Sequence, residues 1–161
     1  MNINQSNTSI ENLRDTPSTP TITAQSNVSY LQLCSLNKLP SFQFPVKMLS
    51  LLEKHKIPIL FMTSSSTNLS MIVELDESDF SCIYPLLNQF AQINFEKNIS
   101  AVSITGEDLQ TTGQMEKRTI DALSSIPILM VSQESSNYSL FMAIYDKDLK
   151  QALCNLKKAL F

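Results

Sequence analysis

Hydrophobic and polar positions alternate from Val28 to Leu36, with Leu31 and Leu33 on one face and Tyr30, Gln32 and Cys34 on the other. This two-residue period predicts a half-buried strand. The period then lengthens: Phe44, Met48, Leu51 and Leu52 recur at helical spacing, with Pro45 in the first turn, where its missing N–H costs nothing. His55 and Lys56 put cations at the negative end of that helix, so it should stop there. Ile57–Met62 is apolar and too short for a helix, and Pro58 marks it as an edge strand. The polar turn Thr63–Asn68 leads to a strand at Leu69–Leu75, Ser78 is the expected cap of a helix carrying Phe80, Ile83, Leu87 and Phe90, and Ile93–Glu96 closes the series. The order is β-α-β-β-α-β.

A diverged copy follows. It reads as a strand at Ile99–Thr105, a helix at Met115–Leu123, strands at Pro127–Val131 and Tyr138–Ile144, and a helix from about Asp148 with Leu149, Ala152, Leu153, Leu156 and Leu160. Ile57-Pro58-Ile59-Leu60 matches Ile126-Pro127-Ile128-Leu129, and Asn68 matches Asn137, so duplication explains the pattern better than chance. The fold class is therefore α+β: two ferredoxin-like units with antiparallel sheets and helices on one face. The second unit ends in its helix without a closing strand, and Thr21-Ile22-Thr23 is the unassigned β-prone piece that can supply one, clasping both units together. The expected organisation is a flexible polar tail at 1–20, a strand or linker at 21–27 completing the second unit, a first unit at 28–97 and a second at 98–161.

Composition narrows the chemistry. The 161 residues are 43% hydrophobic, enough for a core, and 12 Lys+Arg against 15 Asp+Glu are scattered, which argues against nucleic acid. Cys34, Cys82 and Cys154 are too far apart and odd in number to suggest a disulfide framework or a zinc site, so a cytoplasmic setting is expected. No apolar run approaches the roughly 20 residues that span a bilayer, so no membrane partner is expected. With only Gly106 and Gly113, there is no glycine-rich phosphate loop. His55 is the single histidine and reads as a helix-end partner; Asp76, Glu77, Asp79, Asp146 and Asp148 read as compensation of helix N-termini. No catalytic residue, metal or cofactor is expected. The hydroxyl clusters Thr63-Ser64-Ser65-Ser66 and Ser132, Ser135, Ser136 read either as turns or as a pocket for the polar ends of an amino acid.

Leu33–Leu39 (LCSLNKL), Phe44, the helix ending at His55, the strand from Ile57 and Thr63-Ser64-Ser65 together resemble the paired ACT domains of the C-terminal regulatory end of aspartokinases, most closely the lysine-sensitive type. In the second copy Ile104–Leu109, Ser132-Gln133, Ser135-Ser136 and Leu156, Leu160, Phe161 are similar too. The likeness starts near Asp15-Thr16-Pro17. It implies amino-acid sensing and/or dimerisation in aspartate-family (lysine, threonine, methionine) biosynthesis, with a homodimer, an aspartokinase catalytic chain and a small amino-acid ligand as partners. It also implies a ligand pocket at Lys38, Ser41, Ile59, Ser64 and Ser65. Lysine-sensitive relatives carry acidic residues where this chain has Leu60 and Ser66, which removes charge partners of a lysine ligand, and a glycine where it has Gln43, whose side chain should crowd a loop that must approach the ligand closely. The kinase motifs, Lys-Phe-Gly-Gly-Thr among them, are missing, so the expectation is a non-catalytic regulatory chain. The alternatives are a fragment or degenerate form of an aspartate kinase, or a dimerisation module with a decayed pocket.

Overall fold

The computed structural model describes residues 20–106, 114–134 and 139–161. The tail before Pro20, Glu107–Leu109, Ser135–Asn137 and the expected strand start at Tyr138 lie outside the described residues. The elements are β1 (Thr21–Ser35), α1 (Gln43–Lys54), β2 (Ile59–Ser64), β3 (Asn68–Val73), α2 (Glu77–Leu87) and β4 (Ala91–Thr105). They continue with α3 (Gln114–Ala122), β5 (Ile128–Glu134), β6 (Ser139–Tyr145) and α4 (Leu149–Leu160), the last preceded by a 3-10 turn at Asp146–Asp148. The strands form one six-stranded sheet in the order β2-β3-β1-β4-β6-β5, with every pairing antiparallel.

Two predicted breaks are absent. The expected separate strands at Thr21–Thr23 and Val28–Leu36 are one 15-residue strand, and so are those at Ile93–Glu96 and Ile99–Thr105. Thr21–Gln25 pairs with Thr105–Ala101, Tyr30–Ser35 pairs with Glu96–Ala91, and the register shifts on either side of the Val28–Ile99 pair. At this joint Asn27 and Asn98 adopt φ of 60° and 59°. Asparagine tolerates the left-handed region better than other side-chain-bearing residues, so each strand bends there without ending. Each long strand therefore closes one unit and opens the other. The first unit orders as β2-β3-β1-β4 and the second as β5-β6-β4-β1, the same ferredoxin-like arrangement with β1 and β4 exchanging roles. Even the irregularity is duplicated: β2 slips register between Ile59 and Phe61, and β5 between Ile128 and Met130. Gly106 ends β4 under the start of β1, where an added Cβ would stand 3.2 Å from the Pro20 Cα.

The helices follow their sequence signals closely. α1 buries Phe44, Met48 and Leu52 and ends at His55, with Lys56 at φ 55°. Lys56 N–H donates to the Glu53 carbonyl and Ile57 N–H to that of Leu52, the paired bonds of a Schellman cap built without glycine. The cap of α2 is Asp76, whose carboxylate accepts from Asp79 N–H at 2.8 Å, rather than Ser78. A carboxylate beside the helix N-terminus gains both that bond and the dipole. Pro85 falls in the last turn of α2, which stops at Leu87, so Phe90 lies in the following turn.

Three buried clusters hold these layers. Leu31, Leu33, Met71 and Val73 pack under α1 and α2, while Val102, Ile104, Met142 and Ile144 pack under α3 and α4. A third cluster lies on the helix-free side, where Tyr30, Phe61 and Ile72 of the first unit meet Ile99, Met130 and Ala143 of the second. The Phe61 and Phe141 rings stack across this seam with centroids 5.5 Å apart. β2 and β5, the outermost strands of the sheet, also touch, so the sheet curls until its open faces close on each other. Full burial of each large side chain contributes about 1.5–3 kcal/mol, which makes this seam a substantial bond between the units. Among the described residues no helix is long and apolar enough to cross a membrane.

Candidate functional site

The β1–α1 loop and the β2–β3 turn lie at one end of the sheet, joined by a bond from Ser35 N–H to the Thr67 carbonyl at 2.7 Å. This topology brings Lys38, Ser41, Ser64 and Ser65 to the same end; Ile59 starts β2 and lies at the opposite one. Asn37 holds the loop in a left-handed conformation, φ 58°, with its N–H on the Ser35 hydroxyl at 3.0 Å. Lys38 and Ser41 are exposed.

Two features limit what this end can bind. The Ser65 hydroxyl accepts from Thr67 N–H at 3.3 Å and Asn68 N–H at 3.0 Å, so it is already committed to the turn. At α1, Gln43 and Phe44 N–H groups both point to the Pro40 carbonyl, at 2.8 and 3.3 Å, and Pro45 has none. The first helical turn therefore offers no free N–H to an anion, unlike an ordinary helix N-terminus. A ligand carboxylate at this end has the Lys38 ammonium and the Ser41 and Ser64 hydroxyls to meet.

Several other polar candidates have structural partners, whereas one carboxylate oxygen of Asp148 is buried with none among the described residues. His55 is exposed at the end of α1, its N–H on the Leu51 carbonyl at 3.2 Å. Glu77 pairs with Lys97, and the Ser100 hydroxyl donates to Asp146. Tyr145 donates to Glu96 at 2.8 Å, and that bond, with burial and the carboxylate charge, raises the phenol above its ordinary value of 10.0. Among the described residues no group of three or more His, Cys, Asp or Glu could hold a metal ion.

Besides a wide polar hollow of about 730 Å³ around the Asn27–Asn98 joint and the start of α2, two smaller ones have no marking motif. One, of about 490 Å³, runs between α1 and the outer edge of β2 and is lined by Val46, Leu49, Ser50, Glu53, Ile57 and Ile59. Phe42 and Val46 beside it are 73% and 64% exposed, an unusual outlay of apolar surface at a sheet edge. The other, of about 260 Å³, opens between β2 and the helix-free face of the second unit, lined by Thr23, Leu60, Phe61, Ala101, Ser103 and Phe141 among others. Its signal in the sequence is a size difference between repeats: Ala101 stands where the first unit has Tyr30.

Comparison with known proteins agrees with this geometry. The family model for the ACT domain matches residues 102–160. The aspartate kinase FUB3 of Gibberella moniliformis is 25% identical over 151 residues, which are 90% of this chain and 30% of the relative, so the chain spans under a third of that enzyme's length. A structure described as a C-terminal regulatory domain of aspartate kinase from Porphyromonas gingivalis superposes with a TM-score of 0.79 at 25% identity, covering 89% of this chain and 99% of that one. The regulatory subunit of aspartate kinase from Thermus thermophilus shares the fold, with a TM-score of 0.72 at 16% identity over 87% of this chain and 97% of its own. Residues 102–160 thus match the ACT-domain model, and the chain as a whole resembles the regulatory regions of aspartate kinases.

Proposed function

We propose that this chain is a non-catalytic, aspartokinase-like regulatory protein of the cytoplasm, with ACT units at 28–97 and at 98–161 completed by 21–27. It pairs with a second copy of itself, senses a small aspartate-family amino acid and biases an aspartokinase catalytic chain. The observation that carries the reading is the double unit with interlocked strands: a ligand or partner on one unit acts on β1 and β4, which belong to both. Pairing runs through the α1–β2 edge, where the outer side of edge strand β2 and exposed Phe42 and Val46 offer both backbone bonds and apolar area. The amino acid sits at Lys38, Ser41 and Ser64, beside the turn that the Ser65 hydroxyl holds, with Ile59 at the far end of β2 on the pairing edge.

Calorimetric titration with lysine, threonine and methionine tests the sensing arm, and co-purification with a full-length aspartate kinase tests the partner. Heat with one of the three that is lost in Lys38→Ala supports the reading. No heat with any, no kinase partner and no effect on kinase inhibition overturn it. The 30% coverage of the curated relative favours a second reading, a regulatory fragment or degenerate form of a longer aspartate kinase; an in-frame kinase-coding segment upstream would decide for it.

A further inference from the structure

The cleft between β2 and the open face of the second unit has an internal reference, because the first unit contains the same position filled. There Tyr30 pairs across with Glu96 and Ile72, is only 7% exposed, and reaches the Ser70 hydroxyl at 3.4 Å. In the second unit Ala101 takes the Tyr30 position, pairing with Gln25 and Ala143 in the same register. The phenol ring is thereby replaced at the cleft by the methyl group of Ala101, while Ala143, in the Ile72 position, stays buried in the seam beside it. Phe141 replaces Ser70 and recovers part of the space, but about 260 Å³ stays open. That volume lies just below the usual range for drug-sized ligands and suits something of side-chain size.

The walls specify the chemistry of an occupant. Phe61 and Phe141 present stacked rings, and Leu60, the extra residue of the β2 bulge, roofs one side. Thr23 and Ser103, facing each other across β1 and β4, share a hydrogen bond at 2.6 Å and offer a hydroxyl pair that can both donate and accept. Among the described residues no charged side chain lines the cleft. We propose that it binds a small uncharged aromatic molecule carrying a hydroxyl, which replaces the phenol ring that Tyr30 supplies in the first unit. Because the cleft is built from both units, an occupant ties β2 of one to β1, β4 and β6 of the other and stiffens the whole chain. This site is separate from the amino-acid site and does not depend on it.

The simplest probe is p-cresol, the tyrosine side chain as a free molecule. Titrated into the full chain and followed by amide NMR, it should give saturable shifts centred on Ala101, Ser103, Phe61 and Phe141, with a rise in melting temperature. Ser103→Ala should weaken it several-fold. Ala101→Tyr, which supplies the ring covalently, should weaken it at least tenfold while raising the melting temperature. Free tyrosine, whose zwitterion meets no counter-charge, should bind at least tenfold more weakly than p-cresol. Absence of saturable shifts in the wild-type chain, shifts centred elsewhere, undiminished binding in a folded Ala101→Tyr protein, or tighter binding of free tyrosine would each overturn the proposal. Should Ala101→Tyr fail to fold, the wild-type titration and Ser103→Ala decide alone.

Discussion

The first unit leaves the outer side of α1 and the edge of β2 apolar, whereas the second has tied the same region down. Lys117 stands where the first unit has Val46 and Asp121 where it has Ser50, although Ile120 keeps the apolar character of Leu49. The Gln133 amide also donates to Glu116, bridging β5 to α3 at the end that Ser64 and Pro45 occupy in the first unit. The helix-free seam shows the reverse: the first unit is filled by Tyr30, and the second is opened by Ala101. Backbone devices, by contrast, are common to both, from the bent joints at Asn27 and Asn98 to the bulges at Leu60 and Leu129. Duplication kept what sets strand geometry and released what faces outward or across the seam. The two units can thus divide labour, one presenting an assembly edge and the other a cleft.

Substitutions can break or sharpen that contrast. The largest effect is expected at the seam: Phe61→Ala should cost about 3–4 kcal/mol in urea unfolding, and Met130→Ala, its counterpart, about 2–3. A single cooperative transition in both variants is expected if the interlocked strands make one folding body; separate transitions would break the idea of shared strands.

Smaller and opposite in sign is the exchange between helices. Thr119 occupies in α3 the fully buried position that Met48 has in α1, and its hydroxyl finds no partner among the described residues. Thr119→Val should stabilise by about 1 kcal/mol, and Met48→Thr should destabilise by about 2–3 kcal/mol, both read from denaturation midpoints. At the joints, Asn27→Ala and Asn98→Ala should each cost about 1 kcal/mol by forcing alanine into the left-handed region, with glycine at either position near neutral. Unequal costs would show that the joints are not equivalent.

The smallest contrast concerns pH. Gln25 bonds Glu74 at 2.6 Å in the place where Glu96 bonds Tyr145, so a titrating phenol occurs in one unit's version only. The folded phenol holds its proton more tightly than the unfolded one, so its contribution is complete below about pH 10 and is lost as pH rises through the folded value. Tyr145→Phe should flatten the alkaline decline of unfolding stability, and an unchanged decline would assign it elsewhere.

Much of the scaffold was legible because local pattern and tertiary role coincide. Leu31 and Leu33 alternate with polar neighbours, Phe44, Met48 and Leu52 mark one helical face, and His55 marks its end. The continuity of β1 and β4 was not legible: Ser26-Asn27 and Lys97-Asn98 look like turns, and only the pairing of Val28 with Ile99 keeps the chain extended through them. The seam was hidden for a related reason. Tyr30 and Ile72 belong to faces that alternation assigns to solvent, and their partners lie in the other repeat. At the candidate amino-acid site, topology alone placed Lys38, Ser41, Ser64 and Ser65 at one end. That the α1 N–H groups are consumed by Pro40 depends on a turn geometry no residue pattern announces.

The proposed pairing through the α1–β2 edge of the first unit makes a direct demand on the state of the chain in solution. Sedimentation velocity at micromolar concentration tests it on three proteins: wild type, Val46→Lys with Ser50→Asp, and Lys117→Val with Asp121→Ser. The account predicts a dimer for the wild type and for the second-unit variant, and a monomer for the first-unit variant. A monomeric wild type, or a dimer that survives Val46→Lys with Ser50→Asp, would contradict it.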